Sequence, residues 1–245
     1  MLQSLLRDAV VKGHAKESMQ IFAINLARRP DRRRRALEHL SERGLECHFV
    51  DGVDGSRFEG LPAGTLVNSG QFGCFASHLA VFNEFLQQTQ DPTALILEDD
   101  VVLDASIDWP VFLKQLSDLM VRDSIDYCQL GYISCLYPSQ WRVKLRWYPS
   151  GRQQVRTRRE RALGMDLVWN SSLAGTHCYA VSRRFAEVVR HLNQPVWLPA
   201  DGFFDRLAAT SGVTGQLSMC RVKNSLAEQQ DRLAGVHSID SDVSR

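Results

Sequence analysis

The sequence predicts an α/β protein with a mostly parallel central sheet. Three observations carry that expectation. Short apolar segments rich in β-formers alternate with longer segments whose apolar residues recur every three or four positions. Gly, Pro and Asp clusters punctuate the boundaries. Three polar clusters, Asn25 to Arg29, Asp51 to Gly55 and Glu98 to Asp100, fall at the ends of predicted strands, where ligands collect in parallel sheets. A chain of 245 residues suits one such domain. Its 44% hydrophobic content is enough for a core that needs neither disulfides nor structural metal.

The elements follow in order. Residues 1–16 place Leu2, Leu5, Leu6, Ala9 and Val10 on one face and predict a short amphipathic helix; 1–18 is expected as an extension ahead of a main domain at 19–225, a boundary that the resemblance described below implies. Gln20 to Leu26 is an apolar strand. Pro30 opens a helix, because its fixed φ suits the first turn, and Asp31 meets the positive end of the helix dipole; Gly44 closes it. Glu46 to Val50 predicts a second strand, leaving through Asp51-Gly52-Val53-Asp54-Gly55, with loop over 60–70. From Gln71 to Gln88 the spacing of Phe72, Phe75, Leu79, Phe82, Phe85 and Leu86 predicts a helix. Ala94 to Leu97 predicts a buried strand, Trp109 to Val121 a helix and Tyr127 to Leu130 a strand. Residues 132–170 predict a β-hairpin or an insertion. Gly175 to Ser182 follows as a strand, Arg183 to His191 and Phe203 to Thr210 as helices, Thr214 to Val222 as a last strand, and 226–245 as a polar tail.

Composition removes several classes of function. A formal net charge of +1 excludes nucleic-acid binding by bulk charge. No run of apolar residues is long enough for a membrane-spanning helix, and the first residues lack the apolar stretch of a signal peptide. Cys47, Cys74, Cys128, Cys135, Cys178 and Cys220 form no C-x-x-C and match no zinc spacing, so they read as buried thiols in a reducing cytoplasm.

The chemistry concentrates at Glu98-Asp99-Asp100, directly after the apolar Ala94-Leu95-Ile96-Leu97. Three consecutive acids repel one another, and a cation at the strand end relieves them. In an extended chain Glu98 and Asp100 point one way and Asp99 the other. Oxygen ligands suit Mg²⁺ or Mn²⁺, which bridge to phosphates. The plainer reading is a solvated turn.

Four blocks of the sequence resemble glycosyltransferase family 25, the bacterial lipopolysaccharide or lipooligosaccharide glycosyltransferases. They are Ile24-Asn25-Leu26 with Arg28, Asp31, Arg32 and Arg33; Val53-Asp54-Gly55; Gly70 to His78; and Ile96 to Val101. A weaker fifth block runs from Gly175 to Ser182 and on to Pro199-Ala200-Asp201. Gln71 stands where the family often has Glu. The resemblance implies a GT-A-like, Rossmann-type nucleotide-sugar-binding domain, a divalent cation and inverting transfer of a hexose, galactose-like first, from a UDP-sugar. The acceptor it implies is a glycolipid or oligosaccharide, reached on the cytoplasmic side with peripheral contact to the inner membrane.

On that basis Asp100 and Glu98 are expected at the metal, with Glu98 and Asp99 also on the donor side and Asp99 in a local hydrogen bond. Asn25, Arg28, Arg32, Asp54 and Gly55 are expected at the nucleotide; the plain alternatives are a solvated helix face for the arginines and a structural turn for the glycine. Asp201 is the expected general base, with a helix N-cap as its alternative and Asp166 and Asp205 in reserve. His78 is expected in the site or as a packed histidine, and Cys74 in the core. The basic run from Arg142 to Arg161, interleaved with Trp141, Trp147 and Tyr148, reads first as a solvated hairpin and second as a surface for an anionic, lipid-linked acceptor. Two rival functions share the acids: a metal-dependent phosphoryl or nucleotidyl transferase, and a non-catalytic nucleotide-sugar-binding protein.

Overall fold

In the computed structural model, residues 19–132, 155–169, 171 and 175–230 are described. The predicted N-terminal helix, most of the basic run and most of the polar tail lie outside them. The first half alternates as expected: β1 (Gln20–Asn25), α1 (Pro30–Ser41), β2 (His48–Asp51), α2 (Ser69–Gln88), β3 (Thr93–Glu98), β4 (Val101–Leu103), α3 (Trp109–Arg122) and β5 (Tyr127–Gly131). A hairpin of β6 (Arg156–Glu160) and β7 (Met165–Trp169) follows, then β8 (Cys178–Ser182), α4 (Arg183–Val189), α5 (Ala200–Thr214), β9 (Met219–Val222) and β10 (Ala227–Gln229).

The strands form one sheet in the order β2-β1-β3-β8-β5-β9-β7-β6, with β10 bridging β4 and β5. The expectation of a mostly parallel sheet is corrected. Strands β2, β1 and β3 are mutually parallel, as are β5 and β9. Strand β8, however, runs antiparallel between β3 and β5, and β7 runs antiparallel to β9. The sheet is therefore mixed, and the consequence for the site is direct. Parallel strands bring their carboxyl ends to one edge, so Asn25 pairs with Asp51 and Ile24 with Glu98. An antiparallel neighbour begins where β3 ends, which puts the residues before β8 against Glu98: its N–H donates to the His177 carbonyl at 3.1 Å.

Alternation along the strands feeds two cores. Ile21, Ala23, Leu95 and Leu97 pack with Leu40 of α1 and with Trp109, Phe112 and Leu116 of α3. Phe22, Ala94 and Ile96 face the other way, toward Phe75, Phe82 and Phe85 of α2, Phe185 of α4 and Phe204 of α5. Helices thus cover both faces of the sheet.

Local chemistry sets the helix ends. Pro30 and Asp31 open α1. A reciprocal cap opens α2: the Asn68 side chain accepts from the Gln71 N–H at 2.8 Å, and the Gln71 side chain accepts from the Asn68 N–H at 3.2 Å. Gln71 is thus a capping residue. Helix α5 begins at Ala200, earlier than the predicted Phe203, and continues to a left-handed Gly215. The last long strand therefore starts only at Met219. Strands β4 and β10 were not predicted. They are three residues each, too short for a periodicity to register. The stretch expected to be a tail from 226 onward thus begins as a sheet strand.

The loop after β2 lies directly on the start of α2. A Cβ at Gly55 would stand 2.0 Å from the Ser69 carbonyl oxygen, and one at Gly73 would stand 2.6 Å from that of Val53. Both obstacles are backbone, with no flexible side chain to yield. Gly55→Ala and Gly73→Ala are each expected to cost about 1–3 kcal/mol, whereas Gly60→Ala, with nothing within 4 Å, serves as the neutral control. Thermal melts of the three variants check this; an unchanged melting temperature for Gly55→Ala would contradict the close approach.

Candidate functional site

The carboxyl edge of β2-β1-β3 opens into a cleft of about 150 Å³. Its walls include Arg28, Arg32, Asp54, Gly55, His78, Glu98, Asp99 and Asp100. Nearly every residue expected at a donor or metal site therefore shares one concavity, although these residues come from four separate elements of the chain.

The acidic triplet is arranged differently from the extended chain that its sequence suggests. Strand β3 ends at Glu98, and Asp99 and Asp100 form a turn. Both turn acids face α1: the Arg32 guanidinium lies 3.3 Å from Asp99 and 3.7 Å from Asp100. Asn25 donates to Asp99 at 2.6 Å and to the Arg29 carbonyl at 3.1 Å. Burial pushes the Asp99 carboxyl up, against the opposing pull of Asn25 and Arg32.

Glu98 turns toward α2 and β8. Its Oε1 accepts from the Thr176 hydroxyl at 2.6 Å and lies 3.7 Å from Nε2 of His78, and its Oε2 accepts from Gln229 at 3.4 Å. Burial works to raise this carboxyl, but the contacts with His78 and Thr176 outweigh it and hold it below the usual glutamate range. His78 is itself buried, with Nδ1 hydrogen-bonded to the Tyr179 hydroxyl at 2.7 Å and its ring edge-on to Phe204.

On the nucleotide side, Arg28 donates to Asp54 at 2.9 Å. Asp54 caps the single turn Gly55–Arg57 through the Ser56 N–H and hydroxyl, and that hydroxyl is the largest influence holding its carboxyl down. Ser77 ties this loop to α2, accepting from the Val53 N–H at 2.8 Å and donating to the Gly73 carbonyl at 2.7 Å. Arg28 and Arg32, expected as phosphate forks, are thus already engaged with carboxylates of the chain.

Asp201 lies outside the cleft lining, in the first turn of α5. It is not the N-cap: that position is Pro199, and the Asp201 carboxylate accepts from the adjacent Gly202 N–H at 2.7 Å. Burial pushes it up, and the negative charges of Glu98 and Asp205 add to the shift, so it lies within electrostatic reach of the cleft. Asp166 is elsewhere, paired with Arg159 and Lys223 on the β7 side.

Sequence reasoning missed Thr176 and Gln229 as partners of Glu98. Cys74, expected in the core, packs against it and, partly buried, also lines the cleft one turn before His78. The faint signal for Cys74 was its four-residue spacing from His78, which puts both on one helix face.

The family model described as glycosyltransferase family 25 (LPS biosynthesis protein) matches residues 18–204. Among curated proteins, the chain is 36% identical over 129 residues to procollagen galactosyltransferase 2 of Homo sapiens, covering 46% of this chain and 19% of that protein. The Mus musculus protein of the same name is 34% identical over 129 residues, with the same coverage. A Homo sapiens protein named inactive glycosyltransferase 25 family member 3 is 35% identical over 98 residues, covering 34% of this chain and 16% of that protein. The chain spans about a fifth of the length of the galactosyltransferases it matches.

The raised Asp201 carboxyl has a consequence for stability. An acid whose folded value lies above its unfolded one favours the folded state when protonated. Its cost is absent below the ordinary aspartate range and complete above the raised value. Asp201→Asn keeps the acceptor for Gly202 and cannot ionise. It is expected to raise the melting temperature at neutral pH, with the gain disappearing as the pH falls below the ordinary aspartate range. A variant less stable than the parent at neutral pH would reject the buried, repelled carboxylate.

Proposed function

We propose that this chain, which belongs to glycosyltransferase family 25, transfers a hexose, galactose first, from a UDP-sugar to a hydroxyl of a glycolipid or oligosaccharide acceptor, with inversion at the sugar carbon. One observation carries the reading: Arg28, Arg32, Asp54, Glu98, Asp99 and Asp100 share one cleft at the carboxyl edge of three parallel strands. That edge is where α/β sheets bind nucleotides, and it supports a GT-A-like donor site.

The donor set fits a divalent cation. Four carboxylates line the cleft against two guanidiniums, an excess of two negative charges, and a donor diphosphate would add more. Glu98 and Asp100 offer the oxygen atoms for Mn²⁺ or Mg²⁺. When bound, such an ion supplies charge neutralisation for the leaving diphosphate. The chain's own residues do the rest. Arg32 and Asn25 hold the Asp99–Asp100 turn in place, His78 and Thr176 fix the direction of Glu98, and Asp54 with Gly55 shapes the wall beside the nucleotide. Asp201 takes the acceptor proton. Its raised affinity for protons suits a base working nearer neutrality than an ordinary aspartate. Inversion needs one in-line displacement and no enzyme nucleophile.

A lipid-linked acceptor is reached by peripheral contact on the cytoplasmic side; among the described residues no helix is long and apolar enough to cross a membrane. Family membership does not by itself establish turnover, since one relative is named inactive, so the test is kinetic. Purified protein, a panel of UDP-sugars and a glycan acceptor are incubated with and without a chelator. Chelation is expected to stop transfer and Mn²⁺ or Mg²⁺ to restore it. Asp100→Asn is expected to abolish turnover while melting within a few degrees of the parent. Full-rate transfer by the chelated protein would reject the metal. Asp201→Asn is expected to lower kcat by about 10²–10⁴-fold with donor affinity unchanged, as read by thermal shift. Near-normal kcat would remove Asp201 as the base.

A further inference from the structure

The cleft holds a second set of donors whose chemistry differs from that of the acidic turn. The ligand atoms of Cys74, His78 and Glu98 lie within 4.8 Å of one another. Cys74 and His78 are one turn apart on α2 and face the same way, and Glu98 reaches them from the end of β3. All three line the cleft, so a ligand position on the open side remains accessible.

Hydrogen bonds prepare His78 and Glu98 for a metal, whereas burial and the charges of Glu98 and Asp201 favour the protonated Cys74 thiol, a bias that a bound cation reverses. The Tyr179 hydroxyl occupies Nδ1 of His78 at 2.7 Å, which leaves Nε2 directed at Glu98, 3.7 Å away. The Thr176 hydroxyl fixes Oε1 of Glu98 at 2.6 Å. A hydrogen-bonded second nitrogen and a hydrogen-bonded carboxylate are the usual outer supports of metal ligands. Tetrahedral zinc with bonds near 2.0–2.3 Å separates its ligand atoms by about 3.3–3.6 Å. The imidazole–carboxylate spacing of 3.7 Å is already close to that, and the widest separation in the cluster, 4.8 Å at most, closes by up to about 1.5 Å. A thiolate disfavours Mg²⁺ and Mn²⁺ and favours a softer ion.

We propose that Cys74, His78 and Glu98 form a binding site for a borderline-soft divalent cation, Zn²⁺ foremost, with an open fourth position toward the cleft. The site stands on ligand geometry alone and does not depend on the transferase reading. If that reading holds, the two sites share Glu98, so Zn²⁺ inhibits transfer by withdrawing it.

Binding is read without turnover. The full-length, reduced, metal-stripped protein is titrated with Co²⁺ alone and then with Zn²⁺. One equivalent of Co²⁺ is expected to produce tetrahedral visible bands and a thiolate-to-cobalt charge-transfer band, which Zn²⁺ abolishes by displacement. Cys74→Ser is expected to lose the charge-transfer band, and Tyr179→Phe to keep it while weakening Zn²⁺ binding about 10–100-fold. X-ray absorption of the zinc-loaded parent needs no variant, so it stands even where a substitution fails to fold. One sulfur among nitrogen and oxygen ligands is the expected result. A spectrum without sulfur, with two or more sulfurs, or a charge-transfer band surviving in Cys74→Ser would overturn the site.

Discussion

Three adjacent carboxylates at the end of a buried strand have to be compensated, and most of the cleft is that compensation. β3 is buried from Thr93 to Leu97, so Glu98 and the two aspartates emerge where solvent gives limited help. Arg32 and Asn25 answer Asp99 and Asp100, while His78, Thr176 and Gln229 answer Glu98. Each partner comes from a different element, which fixes α1, α2, the approach to β8, and β10 around one point. Removing a partner leaves a charge half-compensated at low dielectric, which costs more than the lost contact alone.

This arrangement explains why the sheet is mixed. A wholly parallel sheet brings only strand ends to the carboxyl edge. An antiparallel β8 brings the residues before a strand to the same place, which delivers Thr176 to Glu98 and lets Tyr179, two positions into the strand, reach His78. The same strand carries Tyr179 into stacking distance of Tyr127, with centroids 5.1 Å apart, and both rings meet Phe204 of α5. The helix bearing Asp201 is thus seated on the aromatic cluster that holds His78. Core packing, rather than a loop, sets where Asp201 stands.

The parts legible in the sequence are those written locally. The acidic triplet after an apolar run, the Val53-Asp54-Gly55 turn and the residues after β1 each announce a strand end, and parallel pairing gathers them without further information. The α2 periodicity likewise predicts a helix whose inner face carries His78. Orientation was not legible, because Asp99 and Asp100 leave the strand and an alternation argument stops applying at Glu98. Nor were the engagements of Arg28 and Arg32, since a basic run looks the same whether it meets phosphate, water or carboxylate. Thr176 and Gln229 reach Glu98 across 78 and 131 residues, and no short-range pattern encodes such a pairing. The place of Cys74 beside Glu98 escaped for a related reason: spacings are sought along one segment, and Cys74 lies on α2 whereas Glu98 ends β3.

The short strand β10 has one more consequence. It pairs with β4, hydrogen-bonds onward from Gln230 to the Asp100 carbonyl, and sends Gln229 to the far oxygen of Glu98. Residues 20–103 hold the parallel core of the cleft, yet its wall is incomplete until the chain at 227–230 has been made and has returned. During synthesis Asn25, Arg32 and His78 precede the triplet, whereas Gln229 follows Glu98 by 131 residues. Closure is a late, long-range step, of the kind that slows folding when contacts are distant in sequence. A shortened translation product ending before residue 227 would retain every acid of the triplet and still lack the wall that β10 adds to the cleft.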